Sequence, residues 1–145
     1  MADGGAVADG GVVTESRVVT ESRAETAQEG VERTSMDLEH PTAIRPEEHA
    51  VFDEARMGKS TLFQSERLLV GLNAFEPGQE HRLHAHAGLD KVYHVLAGSG
   101  LFLLEGREVP MCAGTLLIAP AEVPHGIRNT GPTRMLVLAI LAPSP

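Results

Sequence analysis

The chain has 145 residues, of which 42% are hydrophobic but only 3% aromatic, and its formal net charge is −8. That length suits one domain of ordinary size, with a core packed mainly by aliphatic side chains. The acidic balance argues against a nucleic-acid partner, because phosphates require a basic face. No apolar run reaches 18 residues, so we expect no membrane span and no membrane partner.

Cysteine content and the first residues indicate a cytoplasmic protein. Cys112 is the only cysteine, so no intramolecular disulfide can form, which suits a reducing compartment. The opening residues MADGGAVADGG contain neither the basic region nor the apolar region of a secretory signal.

Residues 1–35 differ in composition from the rest of the chain. They are rich in Gly, Ala, Thr, Ser and Glu, and they contain VVTESR twice, at 12–17 and 18–23. Such a segment cannot bury enough apolar surface to offset its ordering entropy. We therefore predict a disordered low-complexity tail at 1–35 and a single folded domain at 36–145.

The folded region has the pattern of short β-strands separated by Gly- and Pro-containing turns. The run at 135–141 (MLVLAIL) is almost continuously apolar, as expected of a strand covered on both faces. No segment after residue 66 shows the 3.6-residue apolar period of a helix. The predicted fold class is therefore all-β, a sandwich or barrel. The predicted strands are 68–75, 91–96, 101–104, 107–112, 115–118 and 135–141.

Three histidines have spacing that suits a metal site. His84 and His86 are separated by one residue, and on a strand such residues face the same side. His125 follows two prolines in residues 120–125 (PAEVPH), a stiff turn that would deliver it from another strand. Three neutral imidazoles leave coordination positions open, as a catalytic metal requires. An H-x-H pair alone is more often a surface feature than a metal site, so the assignment depends on the surrounding residues.

The surroundings of these histidines resemble the two motifs of the cupin family. Residues 78–98 (G-x5-H-x-H-x11-G) are similar to G-x5-H-x-H-x3–4-E-x6-G, and residues 114–129 (G-x5-P-x4-H-x3-N) are similar to G-x5-P-x-G-x2-H-x3-N. Eight of the ten defining positions match, and the resemblance covers about residues 66–141.

The resemblance implies a double-stranded β-helix, or jelly-roll barrel, with a metal inside. It also implies that His84, His86 and His125 bind one divalent ion, whose identity among Fe, Mn, Ni and Zn stays open. A homodimer is implied too, and the apolar 135–141 strand would suit a buried inter-subunit sheet.

Two motif positions differ. Lys91 stands where the family has glutamate, and Glu122 stands where it has the second glycine. Because a charged lysine cannot bind a cation, three interpretations stay open. The site has three histidines with Lys91 turned aside; or a local shift brings in Asp90 as the missing carboxylate; or metal binding is weak or absent and Lys91 binds an anion.

Further residues are candidates for the pocket. If the alignment holds, Lys91, Tyr93 and Val95 point into the barrel, whereas His94 and its alternate neighbours point away. A desolvated lysine has a lowered pKa, so Lys91 is the candidate catalytic base or donor, unless it pairs with Asp90 or Glu122 at the barrel mouth. His81 is a candidate fourth ligand. The other candidate pocket residues are Tyr93, Glu122 and Phe102.

Two classes of function follow. The first is a metal-dependent enzyme acting on a small molecule, either an oxidoreductase of the dioxygenase type or an isomerase. Dioxygenase chemistry comes from the resemblance, since family members with three histidine ligands include O₂-using enzymes. The second is a noncatalytic module that binds a small molecule or anion. The fold does not decide between them.

Overall fold

The computed structural model describes residue 36 and residues 38–145, so the predicted tail at 1–35 lies outside the described residues. This part of the chain has no helix long and apolar enough to span a membrane. It forms one 3₁₀ helix and nine β-strands. The helix is Pro46–His49; the strands are β1 Gly58–Gln64, β2 Leu69–Phe75, β3 Glu80–His84, β4 Asp90–Ala97, β5 Ser99–Leu104, β6 Arg107–Cys112, β7 Leu116–Ala119, β8 His125–Arg128 and β9 Met135–Ala142.

The strands form two antiparallel sheets. The five-stranded sheet has the order β1-β2-β9-β4-β7, and the four-stranded sheet has the order β3-β8-β5-β6. Apolar side chains from both sheets meet in one buried cluster that includes Phe75, Tyr93, Phe102, Ile127 and Val137. This cluster is the interior of the barrel, and the all-β class predicted from the sequence is confirmed.

A second apolar cluster lies on the outer face of the five-stranded sheet. Leu72 and Leu136 are buried there, and Met36 and Phe52 pack against them. Val137, the next residue along β9, belongs to the inner cluster. Strand β9 is therefore covered on both faces, as its continuous apolar sequence predicts.

All six strands predicted from the sequence are present, with ends shifted by at most two residues. Strands β1, β3 and β8 were not predicted. β3 (EHRLH) and β8 (HGIR) are short and polar, and β3 contains an irregularity, so neither shows the alternation that identifies a strand. These two unpredicted strands carry the site.

Candidate metal centre

Strands β3 and β8 bring two of the three predicted histidines together. His84 at the end of β3 is paired in register with His125 at the start of β8. His86 lies two residues beyond β3, in the loop that leads to β4, so the expectation that His84 and His86 share one strand face was wrong. The ring centroids of His84 and His125 are 4.6 Å apart, and those of His84 and His86 are 4.8 Å apart. One ring nitrogen of each histidine lies within 4.8 Å of the other two, so the three side chains converge.

Backbone carbonyls set the orientation of two of these rings. Nδ1 of His84 lies 2.7 Å from the carbonyl oxygen of Arg82, and Nδ1 of His125 lies 2.8 Å from that of Val123. A carbonyl oxygen only accepts, so each Nδ1 carries the proton and the lone pair of the neutral ring is on Nε2. The Nε2 atoms of His84, His86 and His125 are buried and have no hydrogen-bond partner among the described residues. Three neighbouring imidazoles with unpartnered ring nitrogens fit a divalent metal ion.

The environment keeps these imidazoles neutral. Burial is the largest cause of a lowered pKa in all three, and it brings the pKa of His86 to about 4. The positive charge of Lys91 lowers all three pKa values further. Neutral imidazole is the form that binds metal, so the histidines are ready to bind at pH 7 without losing a proton.

A bulge in β3 adds a fourth histidine to the cluster. The register shifts between His81 and His84, which are paired with Ile127 and His125 across β8. The ring of His81 stacks on that of His84 with centroids 4.1 Å apart. Burial, followed by the charge of His84, lowers the pKa of His81 to about 2. His81 therefore lies beside the converging group, which among the described residues has three members.

Gly126 permits this close pairing of β3 and β8. A Cβ atom at this position would lie 2.6 Å from the carbonyl oxygen of His81, closer than real side chains approach a backbone. The sequence analysis did not identify Gly126 as a site residue. The available signal was a glycine directly after His125 inside a strand, which often marks a close approach of another backbone.

Comparison with known proteins identifies the family. Residues 71–141 match the family model of the cupin domain. The oxalate-binding protein of Thermotoga maritima is 33% identical over 93 residues, which cover 64% of this chain and 71% of that protein. The chain belongs to the cupin family. This agrees with the resemblance found in its two histidine motifs.

Solved structures give the same fold for this cupin. A Thermus thermophilus protein, TT1209, is 37% identical with a TM-score of 0.67, covering 71% of this chain and 98% of that one. A Klebsiella pneumoniae protein with a double-stranded β-helix domain has a TM-score of 0.68 at 22% identity, covering 72% of this chain and 91% of that one. The predicted double-stranded β-helix is therefore confirmed.

Lys91, the lysine at the motif glutamate position, is buried in this cupin and contacts an aromatic ring. Its Nζ lies 4.6 Å from the centroid of the Tyr93 ring, which in turn lies 5.7 Å from that of His125. Phe102 also packs beside Tyr93, at 6.2 Å between centroids. Lys91, Tyr93 and Val95, which were predicted to point into the barrel, are all buried, and so is the candidate pocket residue Phe102.

The two candidate carboxylates of this cupin lie outside the converging group. Asp90 is exposed, and its Oδ1 accepts a hydrogen bond of 2.9 Å from the backbone N–H of Ala121. Glu122 is also exposed, and its backbone N–H donates to the carbonyl oxygen of His86 at 2.7 Å. Neither carboxylate lies within 4.0 Å of Lys91 Nζ. Both residues hold the turn before β8 against the start of β4 and the loop that carries His86.

Proposed function

We propose that this cupin binds one divalent metal ion through His84, His86 and His125 and uses it to bind a small oxygen-donor molecule. The observation that carries the proposal is the convergence of three histidine side chains whose Nε2 atoms are buried and have no hydrogen-bond partner among the described residues. An Fe, Mn, Ni or Zn ion held there would act as a Lewis acid with open coordination positions.

A small carboxylate is the ligand class that the site supports best. Carboxylate oxygens suit a divalent ion, and the surrounding wall is apolar with Lys91 as an added cation. The similarity to an oxalate-binding protein points to the same class. We therefore propose a carboxylate-binding cupin.

Dioxygenase-like oxidation of the bound molecule is the second candidate. Three protein ligands on a redox-active ion leave coordination positions for both a substrate oxygen and O₂. These open positions favour the dioxygenase-like reaction. Lys91, whose pKa is lowered to about 8 by burial and then by Lys59, is the residue of the pocket that would give or take a proton. An isomerase would use the same lysine without consuming O₂.

Elemental analysis of the purified protein tests the metal site. We expect about one metal ion per wild-type chain, and loss of most of it in His125→Ala, because removing one of three ligands breaks the site. The matched control is His94→Ala. His94 lies between the inward-facing Tyr93 and Val95, so its side chain is on the outer face of the sheet and its loss should leave metal content unchanged.

Two outcomes would contradict the proposal. The first is wild-type protein without stoichiometric metal after incubation with each of the four ions, and the second is equal metal loss in both variants. If the metal binds, oxygen consumption with candidate carboxylates separates the two candidates. Uptake that requires the metal favours the dioxygenase-like reaction, and its absence leaves a binding protein or an isomerase.

We further propose that two copies of this cupin associate through the outer face of β4 and β7. Strand β7 is an edge of the five-stranded sheet, and Leu116 and Ile118 on it are 55% and 63% exposed. Large apolar side chains on an edge strand favour association with another chain. The N-terminal segment, which contains Met36 and Phe52, covers this outer face only near its other edge, around Leu62 and Leu72.

A further inference from the structure

Lys91 is a buried cation without a counter-charge. Its side chain is 5% exposed, and among the described residues no carboxylate lies within 4.0 Å of its Nζ. The contact that orients it is the face of the Tyr93 ring. Burying a charge without a partner is costly, and a cation–π contact offsets only part of that cost. A lysine kept in such a place needs a reason beyond packing.

The buried interior of the described chain contains a basic side chain but no acidic one. None of the buried polar or charged residues in the described part of the chain is acidic: they are Ser60, Asn73, Lys91, His125 and Asn129. Lys91 lowers the pKa of His81, His84, His86 and His125, so its charge acts on the whole histidine cluster. Lys59, which is exposed, adds a second positive charge that acts on Lys91.

Two uncharged donors in the interior also lack partners. The hydroxyl of Tyr93 and Nδ2 of Asn73 are buried and make no hydrogen bond to any described residue. The Tyr93 ring neighbours both groups: Lys91 Nζ lies 4.6 Å from its centroid, and the His125 ring lies 5.7 Å from it, edge to face. A ligand at the histidines therefore approaches a wall that offers positive charge and hydrogen-bond donors but no competing acceptor carboxylate.

We propose that Lys91 is the anion-recognition residue of this pocket and that the ligand is a small dianion of the dicarboxylate class. One carboxylate is held at the three-histidine centre, and the second is held by the ammonium of Lys91. The charges support this: three neutral imidazoles leave a divalent ion with its full charge, and Lys91 adds one more, so two negative charges are better matched than one. This inference rests on the proposed metal site.

Lys91 stands at the position where the family motif has glutamate. A glutamate at this position would neutralise part of the ion's charge and would repel an incoming anion. A lysine reverses both effects, so it disfavours the metal when the pocket is empty and favours a dianion when the metal is present. Replacing Lys91 by a neutral residue should therefore weaken dianion binding and leave metal binding equal or tighter.

The test is isothermal titration of the metal-loaded full chain with oxalate, malonate and succinate as dianions, and with malonamide as the neutral analogue of malonate. We expect at least one dianion to bind, about 10- to 100-fold more tightly to wild type than to Lys91→Met, the range expected for one charge-assisted contact. Lys91→Arg should recover part of the loss. Arg56→Met, which removes an exposed charge, is the matched control and should bind as wild type does.

Metal content, measured on every sample, separates this inference from the proposal on which it rests. Absence of metal from wild type overturns the metal site itself. If wild type holds metal but binds none of the three dianions, or binds malonamide as well as malonate, the ligand class is wrong. If Lys91→Met holds metal and binds the dianion within twofold of wild type, Lys91 has no recognition role. Lys91→Gln repeats the comparison should the methionine variant not fold.

Discussion

Glu122 shows how a single residue can depart from a family motif while the backbone keeps the family geometry. Its φ angle is 69°, in the left-handed region that favours glycine, and the cupin motif has glycine at this position. The turn is kept because the backbone N–H of Glu122 donates to the carbonyl oxygen of His86. The sequence analysis expected the carboxylate of Glu122 to act at the rim of the pocket. In the structure it is the backbone N–H of this residue that makes the contact, by holding the loop of His86.

Replacing Glu122 by glycine should stabilise the protein. A non-glycine residue in the left-handed region costs about 1–2 kcal/mol, and the greater freedom of glycine in the unfolded chain offsets about 0.4–1 kcal/mol of the gain. We expect the free energy of unfolding to rise by about 0.5–1 kcal/mol in urea denaturation of Glu122→Gly. Ala121→Gly in the same turn is the control and should destabilise, since Ala121 has a negative φ. Equal effects of the two substitutions would contradict this account.

The residues recognised from the sequence are those whose spacing is local. His84, His86 and His125 were identified because each motif fixes its own short segment of chain. Asn129, the last position of the second motif, holds a loop backbone, since its Nδ2 donates to the carbonyl oxygens of Phe75 and Thr133. That Nδ2 of Asn73 is buried and has no hydrogen-bond partner among the described residues could not be predicted from local spacing. It depends on which side chains face one another across the sheets.

At the scale of elements, the pairing of β3 with β8 decides the site. A bulge in β3 places two residues opposite one in β8, so His81 and His84 lie side by side although they are three positions apart. An unbroken strand would have separated their side chains by face. Period-two patterns identify long apolar strands best. Strand β4 was predicted although it has a register shift near its end, whereas β3 is short, polar and bulged and was not.

Gly126→Ala tests whether this pairing positions the metal ligands. The added methyl group would meet the backbone of His81, so β3 must move away from β8 and carry His84 with it. We expect metal affinity to fall at least about 10-fold, because a ligand displaced from its position loses most of its contribution, together with an overpacking cost of about 1–3 kcal/mol in stability. Competition titration with a coloured chelator measures the affinity.

Ile127→Val on the same strand is the control for this substitution. It removes a methyl group from the inner cluster without adding an atom near β3, so it should cost about 0.5–1.5 kcal/mol in stability and leave metal affinity unchanged. Metal affinity in Gly126→Ala equal to that of Ile127→Val would show that the close approach of the strands is not required.

At the scale of the whole molecule, the two faces of the five-stranded sheet differ in their coverage. The inner face is closed by the four-stranded sheet, and the part of the outer face near β1 and β2 is covered by the N-terminal segment. The part near β7 is left with exposed apolar side chains. The sequence analysis suggested a second subunit as the cover of β9, whereas Met36 and Phe52 of the same chain pack on its outer face at Leu136.

Sedimentation velocity tests the proposed association. We expect a dimer at micromolar concentration, and a shift towards monomer in Ile118→Lys, because a charge placed in an apolar contact must be desolvated. Leu83→Lys is the control, since it introduces the same charge at another exposed apolar position, on the other sheet. A monomeric wild type at these concentrations would show that the β7 face does not associate.

The route of the chain between the histidines has a consequence for unfolding. His86 and His125 enclose residues 87–124, which contain β4 and β7 of one sheet and β5 and β6 of the other. A bound ion would join the two ends of this loop, as a covalent cross-link does, and would restrict the unfolded chain in the same sense. Because the ion stabilises the folded state as a whole, amide exchange that requires global unfolding would slow together in both sheets when the ion binds.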